Sequence, residues 1–280
     1  MPTLTAARLR KWLTEIAASP PRLRTRPGQQ QNVRDTSDDP EASRRRCATA
    51  NRILTVLKAA LNHAWREGKA SSDEAWRRVA PFREADSARV RYLNADECRR
   101  LINACPEPLR GIVRGALLTG ARYGELTRMR VSDFHHNSGT LLVRQSKVGK
   151  IHHVELTTEG PGFFHGITAG RDNTEFLFHR DGALWEEMAA TTSLVEACRA
   201  ASVTPAISFH ILRHTYASLM VMDGVPLIVV ARNLGHSDTR MVEKHYDHLA
   251  SSYIREAIRS AKAIGIGDKE ANIVPLAVER

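Results

Sequence analysis

The sequence has little cysteine and no long apolar run, and each absence excludes a class of protein. Its four cysteines, Cys47, Cys98, Cys105 and Cys198, form neither a CxxC pair nor a zinc-ligand spacing, so we expect reduced thiols in a cytoplasmic protein. No apolar stretch approaches the ~20 residues that cross a bilayer. Residues 1–27 are basic and lack the apolar centre of a secretory signal. We therefore expect no membrane association and no secretion.

Several catalytic signatures are also missing. His210 and His214 have the HxxxH spacing of a zinc-protease helix, but Ile211 stands where such a helix carries glutamate. The segment SKVGK lacks the preceding glycine and the following Ser/Thr of a phosphate-binding loop. There is no GxSxG elbow and no close carboxylate pair for two metal ions. We therefore predict no metal site.

Positive charge is concentrated in the first third of the chain. The net charge is +10, and residues 1–90 hold 18 Lys/Arg against 10 Asp/Glu, whereas residues 91–280 hold 23 against 21. A basic segment beside a near-neutral one indicates a module that binds a polyanion, joined to a module with another task. Solvated surface charge is the alternative interpretation.

Helical periodicity dominates the chain and predicts a mainly α fold with a small antiparallel β-sheet (α+β). The sheet is a hairpin in GTLLVRQSKVGKIHHVEL. Helices are predicted in NADECRRLINAC, PEPLRGIVRGALLTG and ARYGELTRMRVSDF, and over 4–18, 43–67, 71–79, 184–200, 210–223, 226–234, 239–249 and 252–263. We divide the chain into a helical domain, a linker, a second domain and a loose tail, over 1–83, 84–91, 92–263 and 264–280.

Cationic and proton-transferring side chains stand at the ends of the predicted segments. They are Arg122, Lys147, His210, Arg213, His236 and Tyr246. If these ends converge, the pocket suits phosphoryl transfer without a metal. Arginine forks bind non-bridging phosphate oxygens bidentately. A tyrosine hydroxyl needs a base or a positive field before it attacks at neutral pH, and a lysine in a cationic site can protonate the departing alkoxide.

The ordered motifs TGARYGEL, the hairpin lysine, HILRH, LGHS and EKHYDHL resemble those of the tyrosine recombinases, also called the phage integrase family. The resemblance covers about residues 92–263. It implies a site-specific DNA recombinase that integrates or excises a mobile element through a 3′-phosphotyrosine link. No cofactor is implied, because that link conserves the free energy of the phosphodiester for rejoining.

Four residues are implied to handle the phosphate. By resemblance, Arg122 and Arg213 clamp the scissile phosphate, and His236 hydrogen-bonds it. Glu125 lies one helical turn beyond Arg122 and is implied to support the phosphate-binding residues without contacting the phosphate itself.

The remaining residues are implied to handle the nucleophile and the protons. Tyr246 is the implied nucleophile, Lys147 the acid for the 5′-oxygen, and His210 the residue that assists proton transfer at the nucleophile. Lys150 is the rival of Lys147, which we prefer because it stands before the hairpin turn. We expect His214 to have a supporting structural role.

The implied partner is double-stranded DNA with a specific recombination site, in the bacterial cytoplasm at the nucleoid. The first domain resembles a core-binding domain loosely, and its Arg44, Arg45 and Arg46 are expected to face DNA phosphate or solvent. Family members work as tetramers on two duplexes by exchanging a C-terminal helix, here 252–263. Accessory DNA-bending or directionality proteins are further candidate partners. There is no room for an arm-binding domain, so we expect a short or truncated family member.

Three other functions stay open at this point. They are resolution of chromosome or plasmid dimers with the same chemistry, DNA binding by a catalytically silent relative, and DNA relaxation by a type IB topoisomerase. Rival tyrosines also remain, namely Tyr123, Tyr216 and Tyr253, while His245 and His248 flank Tyr246 and are treated as supporting residues.

Overall fold

We describe a computed structural model over residues 4–85, 91–145, 149–180, 182–246 and residue 259. The chain divides into two compact units, Met1–Arg89 and Val90–Arg280, which are described separately. Helices dominate the described residues, and their one sheet is small and antiparallel. The predicted fold class is therefore confirmed. None of the described helices is both long and apolar enough to cross a membrane.

The described part of the first unit forms three helices, α1 (Ala6–Ala18), α2 (Ala42–Arg66) and α3 (Glu74–Arg77). The Thr5 hydroxyl caps α1 by accepting a hydrogen bond from the backbone N–H of Arg8. The indole of Trp76 donates to the side-chain oxygen of Asn62 at 2.6 Å, which ties α3 to α2. The small apolar core of this unit consists of Leu9, Leu13, Ala50, Leu54, Trp76 and Val79.

The second unit begins with α4 (Ala95–Ala104) and α5 (Glu107–Thr119). Asn94 and Glu97 form a reciprocal capping box at the start of α4. Gly120 ends α5 with a positive φ of 63°. A Cβ at Gly120 would lie 2.5 Å from the Tyr216 ring and 2.7 Å from Leu234, so only glycine fits this turn. The turn carries the chain into the TGARYGEL motif.

The predicted helix over ARYGELTRMRVSDF is wrong in its extent. Only α6 (Tyr123–Leu126) forms, followed by a single 3₁₀ turn at Val131–Asp133. The backbone here bonds outward instead of along a helix, because the Val131 N–H donates to the Glu175 carbonyl. These tertiary backbone pairings override the local helical tendency.

The predicted hairpin is confirmed as β2 (Thr140–Arg144) and β3 (Ile151–Glu155). A third strand, β1 (Phe134–His135), pairs with β2, and the strand order is β1-β2-β3. Two residues are too few to show an alternating pattern, so β1 was not predicted. Lys147, at the turn of the hairpin, lies outside the described residues.

One helix, α7 (Glu159–Thr168), was also not predicted. Its first turn contains Gly160, Pro161 and Gly162, which indicate a turn when read from sequence alone. Proline is tolerated there because first-turn N–H groups have no partner within a helix. The buried ring of Phe164 anchors α7 in the core.

Helices α8 (Glu187–Ala200), α9 (Phe209–Met222), α10 (Leu227–Asn233) and α11 (Arg240–Tyr246) follow among the described residues. They confirm the predicted helices to within a few residues at each end, except that positions 247–249 of the last one lie outside the described residues. Helix α9 packs against α5 and carries buried Leu212, Thr215 and Ala217. The HILRH motif therefore begins at the edge of the core and continues into it. The predicted helix over 252–263 and the tail over 264–280 lie outside the described residues.

Candidate active site

Arg213 is the buried centre of the site, with 4% of its surface exposed. Its Nη1 donates to the Gly120 carbonyl at 2.7 Å, and its Nη2 donates to the Leu234 carbonyl at 2.8 Å. Nη2 also lies 2.9 Å from Nε2 of His236. Both carbonyls belong to the ends of helices, α5 and α10, where the helix dipole is negative. The guanidinium is therefore fixed by backbone geometry from two directions.

Arg122 lies just before α6 and is held by Glu125. The carboxylate of Glu125 accepts hydrogen bonds from Nη1 and from the backbone N–H of Arg122, each at 2.8 Å. The Glu125 side chain is 4% exposed, whereas that of Arg122 is 45% exposed. A buried carboxylate thus anchors an arginine that keeps much of its guanidinium accessible.

His236 follows Gly235, which has a positive φ of 70°. A Cβ at Gly235 would lie 2.2 Å from the side-chain nitrogen of Gln145 and 2.7 Å from the ring of His152. Because arginine only donates, Nε2 of His236 accepts the Arg213 hydrogen bond. The pKa of His236 is lowered to about 4 by burial and by the charges of Arg213 and Arg122. The ring is therefore neutral, with its hydrogen on Nδ1, which is buried and has no partner among the described residues.

His210 and His214 lie one turn apart at the start of α9, with ring centroids 4.5 Å apart. Nδ1 of His214 is hydrogen-bonded to the hydroxyl of Tyr246. Tyr246 is 4% exposed, and burial raises its pKa to about 12 although Arg213 opposes this effect. The pKa of His214 falls to about 4 through burial, His210, His245 and Arg213. Sequence reasoning gave His214 a supporting role and did not foresee this contact.

Two polar residues of the hairpin also reach the site and were missed. The side-chain nitrogen of Gln145 donates to the Gly235 carbonyl at 2.8 Å. Burial lowers the pKa of His152, Glu125 opposes this shift, and Arg213 and Arg122 lower the pKa further. The strand alternation could have indicated His152, because it shares a face of β3 with buried Val154.

The site has an excess of positive potential. Burial and the neighbouring charge of Arg122 together lower the pKa of Arg213 to about 10. The pKa of His210 is lowered by burial and then by the same two arginines. A groove of about 570 Å³ opens beside them, lined in part by Trp185 and Phe209. This arrangement favours an anion, whose charge would relieve the repulsion. The described residues contain no group of three or more His, Cys, Asp or Glu side chains placed to hold a metal.

Other predicted residues lie elsewhere or have different partners. The hydroxyl of Tyr123 donates to the Trp185 carbonyl at 3.1 Å, and that of Tyr216 accepts from Asn233 at 2.5 Å. Both rival tyrosines are therefore held by structural hydrogen bonds. His245 lies near His214, with ring centroids 5.9 Å apart. Lys147, His248 and Tyr253 lie outside the described residues.

The three arginines that we expect to face DNA phosphate or solvent, Arg44, Arg45 and Arg46, make contacts within the first unit. Arg44 and Arg45 pair with Glu41 and Asp39, respectively. Nη2 of Arg46 donates to the Ile16 carbonyl at 2.6 Å. Their role in DNA binding stays a prediction.

The chain is similar in sequence to curated integrases and tyrosine recombinases. The integrase of Salmonella phage P22 is 29% identical over 229 residues, which cover 78% of this chain and 58% of that protein. The tyrosine recombinase XerA of Saccharolobus solfataricus is 27% identical over 177 residues, 62% of this chain and 58% of that protein. The chain thus spans less than two thirds of the length of these curated relatives.

Solved structures share the fold. The XerH site-specific recombinase bound to palindromic difH substrate has a TM-score of 0.64 at 16% identity, covering 92% of this chain and 72% of that chain. A lambda integrase tetramer bound to a Holliday junction has a TM-score of 0.61 at 21% identity, covering 88% and 65%. The model of the phage integrase family matches residues 91–252, more than half of the sequence. The chain belongs to the phage integrase family.

Proposed function

We propose that the protein is a site-specific DNA recombinase that cleaves and rejoins DNA through a 3′-phosphotyrosine link and integrates or excises a mobile element. One observation carries the proposal. The buried hydroxyl of Tyr246 lies close enough to the buried guanidinium of Arg213 for that charge to oppose the rise in its pKa that burial causes. The same guanidinium contacts His236 and adjoins Arg122. Membership of the phage integrase family supports this chemistry.

The arginines bind the scissile phosphate. Three hydrogen bonds hold Arg213 to Gly120, Leu234 and His236. These bonds fix the orientation of the guanidinium, and its remaining N–H groups are therefore preorganised to bind a phosphate. Arg122 contributes a second, more accessible guanidinium on its Glu125 anchor. Both keep their charge at neutral pH, so they stabilise the extra negative charge of a pentacoordinate phosphorane. We also assign His236 to the phosphate; its Nδ1 hydrogen has no partner among the described residues.

Tyr246 attacks the phosphorus through its hydroxyl oxygen. A bond forms between that oxygen and phosphorus, the bond from phosphorus to the 5′-oxygen breaks, and the 3′-phosphate stays on the enzyme. With a pKa near 12 the phenol is almost entirely protonated at neutral pH, so it must lose its proton as the bond forms. We assign the return of a proton to the 5′-oxygen to Lys147. His210 stands at the N-terminal end of α9, where backbone N–H groups favour a phosphate.

The substrate is double-stranded DNA carrying a specific recombination site, held in the bacterial cytoplasm at the nucleoid. The +8 balance of residues 1–90 supports a role for the first unit in gripping the duplex. Arg45 is its most exposed candidate, with 58% of the side chain accessible. Accessory DNA-bending or directionality proteins would act on the same complex.

Strand exchange requires several protomers, and we propose a tetramer on two duplexes in which each protomer passes the segment 252–263 to a neighbour. We propose that this segment binds in an apolar groove of about 160 Å³ on the second unit of the neighbouring protomer. Its lining includes Leu156, Met220, Val225 and Val229.

Covalent capture tests the function and identifies the DNA site in the same experiment. The full chain is incubated with nicked duplexes of randomised sequence, denatured, and separated with any DNA linked to it for sequencing. We expect a protein–DNA adduct with one enriched sequence, formed equally well in EDTA. A Tyr246→Phe variant should give none. Loss of the adduct in EDTA with recovery on adding a divalent metal would rule out the metal-free mechanism. The genomic position of the enriched sequence distinguishes a mobile-element boundary from a dimer-resolution site.

A further inference from the structure

The hydroxyl of Tyr246 is hydrogen-bonded to His214 and not to His210. Nδ1 of His214 and Oη of Tyr246 are in direct contact. Among the described residues, no hydrogen bond joins His210 to Tyr246. The His210 ring instead packs edge-on against His214, with 4.5 Å between centroids. The nearest imidazole base to the proposed nucleophile is therefore the second histidine of HILRH.

His214 is suited to accept from the phenol in its resting state. Its pKa is held near 4 by burial, His210, His245 and Arg213, so the ring is neutral at physiological pH. A neutral imidazole has one acceptor nitrogen and one donor nitrogen. Because the Tyr246 pKa is about 12, the phenol keeps its hydrogen and donates it. The contact is therefore a hydrogen bond from Tyr246 Oη to Nδ1 of His214, whose own hydrogen is on Nε2.

We propose that His214 is the catalytic residue that takes the Tyr246 proton during DNA cleavage. This proposal rests on the proposed recombinase function. As the bond from Oη to phosphorus forms, the Oη–H bond breaks and the proton moves to Nδ1, which gives an imidazolium. The bond to the 5′-oxygen breaks, and that oxygen receives a separate proton. In the rejoining step His214 returns its proton to the departing Tyr246 oxygen.

The surrounding charges couple this step to DNA binding. The groups that face His214 are His210 and Arg213 on its own helix, and His245 and Tyr246 on α11. Arg213 disfavours an imidazolium at His214 while the site is empty. A phosphate that binds Arg213 and Arg122 neutralises this field and raises the basicity of His214. Tyr246 is therefore activated when a DNA phosphate occupies the site.

The first test follows His214 in the absence of DNA, so it is independent of the recombinase function. Nitrogen-15 NMR of the full chain distinguishes an acceptor Nδ1 from a protonated one. We expect His214 as the Nε2–H tautomer, with an Nδ1 resonance that shifts when Tyr246→Phe removes the donor. A His214 resonance unaffected by Tyr246→Phe would overturn the proposal.

The second test measures the rate of adduct formation on the duplex captured from the randomised library. We expect His214→Asn, which keeps an acceptor oxygen near the Nδ1 position but is not a base, to slow cleavage by on the order of 100-fold or more. His214→Ala should be at least as slow. Replacing Tyr246 by 3,5-difluorotyrosine, whose phenol is more acidic, should restore most of the loss in both variants. Circular dichroism and thermal unfolding verify that each variant is folded.

The outcomes separate this proposal from the proposed function. Wild-type cleavage that His214→Asn leaves unchanged would overturn the role of His214 alone. So would a slow His214 variant that difluorotyrosine does not rescue, because a merely structural defect is insensitive to phenol acidity. If His210→Ala is the variant rescued by difluorotyrosine, His210 is the base and the proposal is wrong. No adduct from the wild-type chain would overturn both.

Discussion

Exposed Arg45 in the first unit and buried Arg213 in the second unit are held in opposite ways. In the first unit, exposed Arg45 pairs with Asp39 and partly exposed Arg44 pairs with Glu41. In the second unit, Arg213 is 4% exposed and bonds to the carbonyls of Gly120 and Leu234. The charge of Arg45 therefore lies at the surface of the first unit, whereas the charge of Arg213 is fixed in the core of the second.

The difference predicts where substitutions are tolerated. An exposed ion pair contributes about 0–1 kcal/mol, so the first unit can lose Arg45 with little effect on folding. Removing the Arg213 guanidinium would leave the carbonyls of Gly120 and Leu234 without their donor, and an unsatisfied buried acceptor typically costs about 1–3 kcal/mol. The effect of substituting an arginine should therefore depend on how buried and how fixed its side chain is, and not on how much charge its unit carries. The following predictions test this contrast, beginning with the largest expected effect.

Arg213→Lys should lower the rate of covalent adduct formation by about 100- to 1,000-fold, the usual effect of losing a preorganised donor. A lysine ammonium is a compact charge that cannot reproduce a planar fork bonded to two carbonyls and His236. Adduct rate and thermal midpoint should therefore both fall. Arg45→Lys is the matched control in the first unit, and a comparable loss of rate there would contradict the contrast.

Gly235→Ala should destabilise the chain and weaken cleavage. The alanine Cβ would meet Gln145 and His152 at 2.2 and 2.7 Å, at a φ of +70°. Gly170→Ala is a matched control, since its φ is +71° and no described heavy atom lies within 4 Å of the added Cβ. The control should cost about 1–2 kcal/mol from backbone strain alone. Equal thermal midpoints for the two variants would show that the contact of the hairpin with Gly235 is unimportant.

The stability of the second unit should fall as pH drops from about 6.5 towards 4. The pKa values of His214 and His236 lie near 4 in the folded chain, against an ordinary 6.5. The unfolded chain therefore binds protons first on acidification, and stability rises with pH through this window and is level above it. Calorimetry between these two pH values should show that the unfolding free energy of His236→Asn changes less steeply with pH than that of the wild type. An unchanged slope in that variant would argue against a buried neutral His236.

The smallest effect is expected from Arg45→Ala. Its thermal midpoint should stay close to that of the wild type. The slope of log affinity for DNA against log salt concentration should become shallower by about 1, as expected for the loss of one phosphate contact. Arg46→Ala should instead lower the midpoint, because it removes the hydrogen bond to the Ile16 carbonyl. An unchanged salt slope in Arg45→Ala would remove this residue from the DNA surface.

The elements that sequence predicted correctly are those with local causes. Asn94 and Glu97 cap α4 within one turn, and Gly120 stops α5 through its own backbone conformation. The hairpin follows from alternation around a glycine turn. The helix α7 escaped prediction because Gly160 and Pro161 indicate a turn. The helix predicted from Ala121 onward is short because its backbone pairs with residues 173–177.

In the candidate site, too, local features could be predicted from sequence and long-range contacts could not. The motifs predicted which residues form the candidate site, since each is a recognisable residue type in a short local context. They could not indicate the partners, because the bonds of Arg213 to Gly120 and Leu234 span 93 and 21 residues of sequence. The contact between His214 and Tyr246 spans 32 residues and depends on how α11 packs on α9. Hydrogen-bond partners of this kind follow from tertiary packing, which local patterns do not encode.

The most direct test of the central claim is to locate the amino acid that becomes linked to DNA. Tyr246 and its rival Tyr253 fall in one tryptic peptide, HYDHLASSYIR, so the adduct must be fragmented by tandem mass spectrometry after nuclease trimming. We predict a nucleotide attached through a phosphodiester to Tyr246, and no adduct from Tyr246→Phe, while Tyr253→Phe retains it. A nucleotide on Tyr253 or on any other residue, or an undiminished adduct from Tyr246→Phe, would contradict the assignment of the nucleophile.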